Sequence, residues 1–284
     1  MRVYSHKDAG AKSLLPLVSK YTEMAESMKL PYWIFTEDSN PIGIVTVGKD
    51  PIQLLAPVGT PVAMIALIQK NQHPSVLKDF ASQSLELTLE KEAKHVTIEL
   101  TSEEKDAVTS FLEVNFKVLA DTFMMTLQLD EEYNSPEGVK FELAGKDEML
   151  RWIELARRFL SGSADVVMER ILKNIGHLPE NRLELYYSSE KFYFVTQNKH
   201  EIGILNFSSR AGRISNVGVD PSRRDQGYGR KIMQFGLKQL KAAGCKQALL
   251  RVHVDNKPAL NLYKSLGFEV AGRRRFLIWE NEKA

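Results

Sequence analysis

Between Val217 and Lys231 the chain reads Val-Gly-Val-Asp-Pro-Ser-Arg-Arg-Asp-Gln-Gly-Tyr-Gly-Arg-Lys, and these residue types suit the binding of an anion. The pattern predicts a strand ending at Val219, a proline-containing turn, and a helix that begins at or just after Gly227. The first turn of a helix presents N–H groups with no partner inside the helix, together with the positive end of the dipole. Glycines at 227 and 229 remove the Cβ atoms that would hold a diphosphate away from those groups. A negative charge there gains about 0.3–1 kcal/mol, rising to about 2 when partly buried. Arg224 or Arg230 adds charge-assisted bonds of about 1.5–3 kcal/mol. Together these anchor a diphosphate without a metal. Two glycines at a helix start are equally a plain structural turn, and the run is neither a P-loop nor a dinucleotide fingerprint.

The elements that must position this turn are legible around it. Lys146 to Lys173 has helical apolar spacing, interrupted near Ser161-Gly162-Ser163. Lys191 to Thr196 and Ile202 to Phe207 read as a hairpin turning at Asn198-Lys199-His200, and Arg213 to Val219 as a third strand. Gly227 to Ala243 is helical, with Gly244 placed to end it. Apolar alternation in Ala248, Leu250, Val252 and Val254 marks a strand with one buried face. A last helix, Asn256 to Ser265, leads into a last strand, Phe268 to Trp279. The fold class is therefore mixed α/β (α+β), a mixed sheet flanked by helices.

The chain also matches itself. Ala107, Phe111, Phe116 and Val118 correspond to Ala259, Tyr263, Phe268 and Val270, each pair 152 positions apart (259 − 107, 263 − 111, 268 − 116, 270 − 118). Pro41-Ile42-Gly43-Ile44 echoes Glu201-Ile202-Gly203-Ile204 at an offset of 160 (202 − 42). Two related lobes are expected, residues 1–130 and 139–284. The acidic, turn-rich stretch Asp130 to Gly138 lies between them.

Arg224-x-x-Gly227-x-Gly229, following Val217-Gly218-Val219-Asp220-Pro221, resembles the acetyl-CoA pyrophosphate loop of the GNAT superfamily of N-acetyltransferases, whose pattern is Q/R-x-x-G-x-G/A. Asn256-x-x-Ala259-x-x-Leu262-Tyr263-x-x-Leu266-Gly267-Phe268 resembles that family's last helix and the turn after it. The close match covers Glu201 to Trp279, and the fold-level match reaches back to Lys140. The resemblance implies two parallel strands, Arg213–Val219 and Lys246–Val254, that splay to admit pantetheine. It implies that the backbone of Val217, Gly218 and Val219 pairs with the pantetheine arm as an added strand would. Arg224, Asp225, Gln226, Gly227, Tyr228, Gly229 and Arg230 would hold the diphosphate, and the Asn256 side chain would touch the arm.

The family's reaction is direct acetyl transfer from the thioester to an amine through a tetrahedral intermediate. A backbone N–H near Gly218 or Val219 would serve the oxyanion. Tyr263 is the implied general acid for the departing thiolate; a phenol near pKa 10 and a thiol near 8.5 make that transfer uphill by about 2 kcal/mol. The alternative for Tyr263 is simple packing. The general base is not supplied, because the strand that often carries a carboxylate has Ser215 and Asn216 instead; Glu201, Asp220 or a water chain are the candidates. Cys245 reads as a small buried residue, His253 as a strand residue near the cleft, and Arg273-Arg274-Arg275 as a solvated charge run.

The same comparison reads the first lobe as degenerate. The glycines of the loop fall on Ser75 and Leu77, Gln226 falls on Pro74, which has no N–H, and Tyr263 falls on Phe111. A lobe that binds no cofactor is expected.

Composition sets the outer limits. The chain has 284 residues, 43% of them hydrophobic and 26% charged, with a formal net charge of +2. That balance favours neither nucleic acid nor an anionic membrane as a partner. One cysteine excludes an internal disulfide, and no metal site is expected. No run is apolar enough to span a bilayer, and Met1 to Asp8 turns polar where a signal peptide turns apolar, so a cytoplasmic protein is expected. The expected function is an acetyl-CoA-dependent N-acetyltransferase acting on a primary amine of a small molecule or peptide. The rivals are a non-catalytic acyl-CoA-binding module and transfer of a longer acyl group. Acceptor identity and oligomeric state are not encoded legibly.

Overall fold

Each half of the chain folds into a similar succession of elements, the second half carrying three helices where the first has one, because both halves carry the same alternation of strand and helix periodicity. The computed structural model describes residues 1–49, 54–69 and 72–281. The first half runs β1 (Arg2–Ser5), α1 (Ala9–Ser27), β2 (Tyr32–Glu37), β3 (Asn40–Lys49), β4 (Pro61–Leu67), α2 (Pro74–Glu90), β5 (His95–Thr101), α3 (Lys105–Glu113) and β6 (Lys117–Gln128). The second runs β7 (Lys140–Leu143), α4 (Met149–Leu160), α5 (Val166–Ile175), α6 (Glu180–Ser189), β8 (Lys191–Gln197), β9 (His200–Ser208), β10 (Arg213–Val219), α7 (Tyr228–Ala242), β11 (Gln247–His253), α8 (Lys257–Ser265) and β12 (Glu269–Glu280). β4, β5, α3 and β6 begin and end 152 positions before β10, β11, α8 and β12 (213 − 61, 247 − 95, 257 − 105, 269 − 117). The repeat glimpsed in a few side chains therefore governs whole elements.

Contacts divide the chain into two compact units, Met1–Asp121 with Arg274–Ala284, and Thr122–Arg273. The turn-rich stretch at 130–138 lies inside the second unit rather than between units. The chain passes from one unit to the other within β6 and returns within β12. Residues 274–280 of β12 pair antiparallel with β5 in the first unit, and residues 122–128 of β6 pair antiparallel with β11 in the second. Each unit is thus closed by a strand from the other half of the sequence. Composition carries no trace of this, since it is decided by which free edge a strand joins.

In both units the strands are antiparallel except for one parallel pair, β4 with β5 and β10 with β11. The first unit is centred on Phe35, Phe80, Phe111 and Phe116, which meet edge to face at centroid distances of 5.3, 6.1 and 5.1 Å. In the second unit Phe192 meets Trp152 of α4, while its neighbour Tyr193 meets Phe235 of α7. Successive strand residues point to opposite faces, so α4 and α7 cover opposite faces of this sheet. Trp152 is buried and its Nε1–H donates to the Tyr193 carbonyl at 3.1 Å, which satisfies the indole inside the core. Ile232, Met233, Leu237 and Leu240 of α7, all wholly buried, pack with Leu205, Ala248, Leu250 and Val252. No described helix is long and apolar enough to cross a membrane.

Candidate active site

The parallel strands β10 and β11 part almost as soon as they meet. Arg213 lies opposite Leu249, and the Leu249 N–H donates to the Gly212 carbonyl at 2.8 Å. Among the described residues no further pair follows. On its other edge β10 stays paired with β9 as far as Val219 opposite Gly203, with a break in register between Ile214 and Asn216. Ser215 is the extra residue of that bulge, and a bulge bends and twists its strand. Beyond it the backbone edge of Val217, Gly218 and Val219 borders an open notch. Gly218 has no room for a side chain, because a Cβ there would stand 2.8 Å from Ile204 Cγ1 and 3.1 Å from Phe159 Cβ.

The notch leads to the glycine-bearing bend. Asp220 opens it, accepting from the Ser222 N–H at 2.9 Å and the Ser222 hydroxyl at 2.7 Å, and pairing with Arg158 at 2.9 Å. Those two bonds from Ser222, followed by the Arg158 guanidinium, hold its carboxyl below the ordinary aspartate range. Asp225 and Gly227 then turn left-handed, at φ 60° and 81°. For Gly227 that geometry is easy, and no atom lies within 4 Å of where its Cβ would be. No side chain caps the α7 N-terminus that follows, so the N–H groups of its first turn face outward. A Cβ on Gly229 would lie 3.2 Å from Leu262 Cδ2 of α8, which places the end of α8 against this first turn. Arg230 reinforces the approach by donating to Ser265 Oγ at 2.6 Å.

Side chains in the bend have structural work that spacing did not reveal. Arg224 donates to the carbonyls of Phe159 at 3.0 Å and Ser161 at 3.3 Å, satisfying the C-terminal end of α4. Tyr228 is buried, with its hydroxyl donating to Gln197 Oε1 at 2.6 Å. Gln226 donates to the Ser222 carbonyl at 3.3 Å. What these residues offer a ligand is mainly backbone. Asn256 likewise caps α8, its Oδ1 accepting from the Ala259 N–H at 3.3 Å, which leaves its amide N–H2 as the available donor.

Tyr263 lies one residue beyond Leu262, with its ring 6.0 Å from that of Phe268. Burial pushes its phenol up to about 12. Of the carboxylates considered as a base, Glu201 is ion-paired with Arg151 and Asp220 is held by Ser222 and Arg158. His253 accepts the Asp255 N–H on Nδ1 at 3.2 Å, so in the neutral ring the proton sits on Nε2. Cys245 donates to the Ser209 carbonyl at 3.0 Å. The arginine run is engaged locally: Arg273 lies over the Phe123 ring, Arg274 stands 4.0 Å from Glu99 and Arg275 3.2 Å from Asp121. Among the described residues no group of His, Cys, Asp and Glu is placed to hold a metal ion.

At the matching place the strands of the first unit part later, beyond Ile65. β4 and β5 stay paired through Val62–His95, Ala63–Val96, Met64–Thr97 and Ile65–Ile98, and β3 meets β4 without a break in register. The His73 ring accepts the Ser75 N–H at 3.3 Å at the start of α2, Pro74 has no N–H to offer, and Leu77 is fully buried. Phe111, at the position of Tyr263, is equally buried.

Residues 152–268 match the model of the acetyltransferase (GNAT) family. Similar proteins include the mycothiol acetyltransferase of Kocuria rhizophila, 29% identical over 152 residues, covering 49% of this chain and 48% of that protein. The mycothiol acetyltransferase of Thermomonospora curvata is 46% identical over 57 residues, 20% of this chain and 19% of the relative. The chain thus matches about half the length, or less, of these curated relatives. Among solved structures, a GCN5-related N-acetyltransferase from Sphaerobacter thermophilus aligns with a TM-score of 0.65 at 15% identity, over 98% of this chain and 95% of that one. A tandem GNAT protein from the clavulanic acid biosynthesis pathway aligns with a TM-score of 0.63 at 12% identity, over 98% of both. At such identities the structures speak for the fold alone, and the fold they share with this chain is a tandem one. Residues 152–268, which lie in the second unit, thus match the acetyltransferase (GNAT) family, and the doubled fold of the chain is similar to that of a tandem GNAT protein.

Proposed function

We propose that the second unit is an acetyl-CoA-dependent N-acetyltransferase whose acceptor is a primary amine of a small molecule or peptide. The reading is carried by one juxtaposition: an open strand edge, Val217–Val219, that runs directly into an uncapped helix start at Gly227. In the first unit the corresponding strands stay paired as far as Ile65, the match of Val217, and the helix start is self-capped, which supports a first unit without cofactor.

The residues suit coenzyme A in kind. Backbone N–H groups from Gly227 to Arg230 face outward for a diphosphate, at about 0.3–1 kcal/mol for each charge from the dipole alone. The free edge of Val217–Val219 takes an amide-bearing arm as a sheet takes a strand, and the Asn256 amide donates to a carbonyl of that arm. Arg224 acts by tethering the bend to the end of α4, and Asp225 by supplying the left-handed turn. When bound, acetyl-CoA supplies the activated acyl group. The Gly218 N–H faces β9, two residues before the Asp220 N–H that bonds Ile202, so the backbone N–H of Val219 is the donor for developing oxygen charge. Tyr263 stays protonated at any working pH. With its phenol at about 12 and a thiol near 8.5, full proton transfer costs about 5 kcal/mol. Tyr263 therefore acts as a neutral hydrogen-bond donor to the departing sulfur, which stabilises the thiolate without the proton crossing over.

Calorimetry with acetyl-CoA on the full chain tests the reading, alongside Gly227→Asp. The wild type binds. The variant places a carboxylate in the open space beside the helix start and loses binding. A variant that binds like the wild type would show that the bend is not the phosphate site.

A further inference from the structure

The amine must give up a proton as it is acylated, and β10 itself carries no carboxylate. One is brought to it from elsewhere in the chain. Glu190, at the junction of α6 and β8, has a side chain only 7% exposed. Its Oε1 accepts from Ser215 Oγ at 2.8 Å and from Arg213 Nη2 at 2.7 Å. Its Oε2 accepts from Asn206 Nδ2, and Asn206 Oδ1 in turn accepts from Asn216 Nδ2 at 2.8 Å. Asn206 is fully buried and Asn216 nearly so, whereas Ser215 remains partly exposed. A buried carboxylate needs compensation of this kind, and here it is compensated by hydroxyl, guanidinium and amide donors together.

The location gives the cluster its meaning. Ser215 is the bulged residue, and it stands two positions past Arg213, the last point at which β10 touches β11. Ser215 is therefore the residue at the apex of the notch, where the two strands begin to separate, and its hydroxyl also accepts from Arg213 Nε at 3.3 Å. Three other candidates for the base are engaged elsewhere: Asp220 by Ser222 and Arg158, Glu201 by Arg151, and His253 Nδ1 by the Asp255 N–H.

We propose that Ser215 and Glu190 form the proton relay of the transferase, Ser215 touching the acceptor amine and Glu190 acting through it as terminal proton acceptor. The proposal rests on the function proposed above. As the C–N bond forms and the C–S bond breaks, the N–H proton passes to Ser215 Oγ and the Ser215 proton passes to Glu190 Oε1. Two X–H bonds break and two form. The carboxylate ends neutral, and the thiolate leaves with the electron pair of the C–S bond, held by the Tyr263 hydrogen bond until it is protonated by water. Glu190 returns its proton to solvent through the same hydroxyl. Arg213 and Asn206, the latter held by Asn216, keep the Glu190 carboxylate aimed between turnovers. The charged group bonded to Glu190 is Arg213, which does not titrate in the working range.

The test uses the full chain, with acetyl-CoA and glucosamine as the probe amine, following thiol release across pH 5–9 and acetyl-CoA binding by calorimetry. Glu190→Gln and Ser215→Ala are each expected to lower kcat by about 10²-fold or more while acetyl-CoA affinity stays within about threefold. Ser215→Thr, which keeps the hydroxyl, is expected to retain kcat within about threefold, a rescue that mere loosening of the bulge would not produce. Because Glu190→Gln sets two donors against each other and can unfold the site, Ser215→Ala and thermal melts accompany it. Glu190→Gln or Ser215→Ala, folded and binding acetyl-CoA, with kcat within threefold of the wild type would overturn the relay. A wild type that fails to bind acetyl-CoA overturns the function itself, and the relay with it.

Discussion

Replacing Gly229 by leucine gives the second unit the residue that the first unit carries at the matching position, Leu77. In the first unit that leucine is 0% exposed, wholly absorbed beneath the start of α2. In the second unit a Cβ at 229 already stands 3.2 Å from Leu262 Cδ2 and 4.0 Å from Val219 Cγ2. The remaining carbons must push Leu262 aside or enter the mouth of the notch. Overpacking of this kind costs about 1–3 kcal/mol of stability. The larger effect falls on binding, because the side chain blocks the first-turn N–H groups. Hydrogen bonds to a charged partner are worth about 1.5–3 kcal/mol each, so losing two weakens acetyl-CoA binding by at least 10²-fold. Calorimetry on the folded variant, with a melt to verify folding, reads both numbers. Affinity within threefold of the wild type would refute the assignment of the bend. The reverse change, Leu77→Gly, costs stability and gains no binding, since His73 still caps the helix start and Pro74 still offers no N–H.

Tyr263→Phe keeps the ring and its packing and removes the donor; kcat should fall about 10–10²-fold with acetyl-CoA affinity unchanged, as steady-state kinetics and calorimetry will show. Because burial places the phenol at about 12, the variant should leave the pH dependence of kcat below pH 10 unaltered. Asp220→Asn lowers the melting temperature at neutral pH. A depressed carboxyl contributes stability that is fully present above its unfolded value of about 3.8 and is lost as pH falls through the folded one, so the difference between wild type and variant should shrink in melts taken progressively below that value. Ending the chain after Arg273 removes Leu277 and Ile278, buried to 0% and 2%, and unpairs the edge of β5. Burying each of those side chains is worth about 1.5–3 kcal/mol, and the first unit should unfold early or aggregate in calorimetric scans.

What the sequence disclosed, and what it hid, follows the range of the interactions. The strand before Asp220, the helix start at Gly227 and the αL glycine at 244 are local events fixed by a few neighbouring residues, and each stands where its residue types put it. The two helices on either side of Ser161-Gly162-Ser163 are likewise local. The part of Arg224 is different: its motif position was legible, but the carbonyls it holds belong to Phe159 and Ser161, more than sixty residues away. Glu190 carries no motif, and only the fold brings it to Ser215. Helix α6 was missed because Glu180–Ser189 lacks a regular apolar stripe.

The borrowed closing strands also dictate an order of assembly on the ribosome. Everything the second unit needs, Thr122 through Arg273, has been synthesised before residues 274–280 are made, whereas the first unit waits for that final segment to cover β5. The half that is translated first is therefore the half that matures last, and until then it carries an open edge that a chaperone, or a neighbouring nascent chain, is free to occupy.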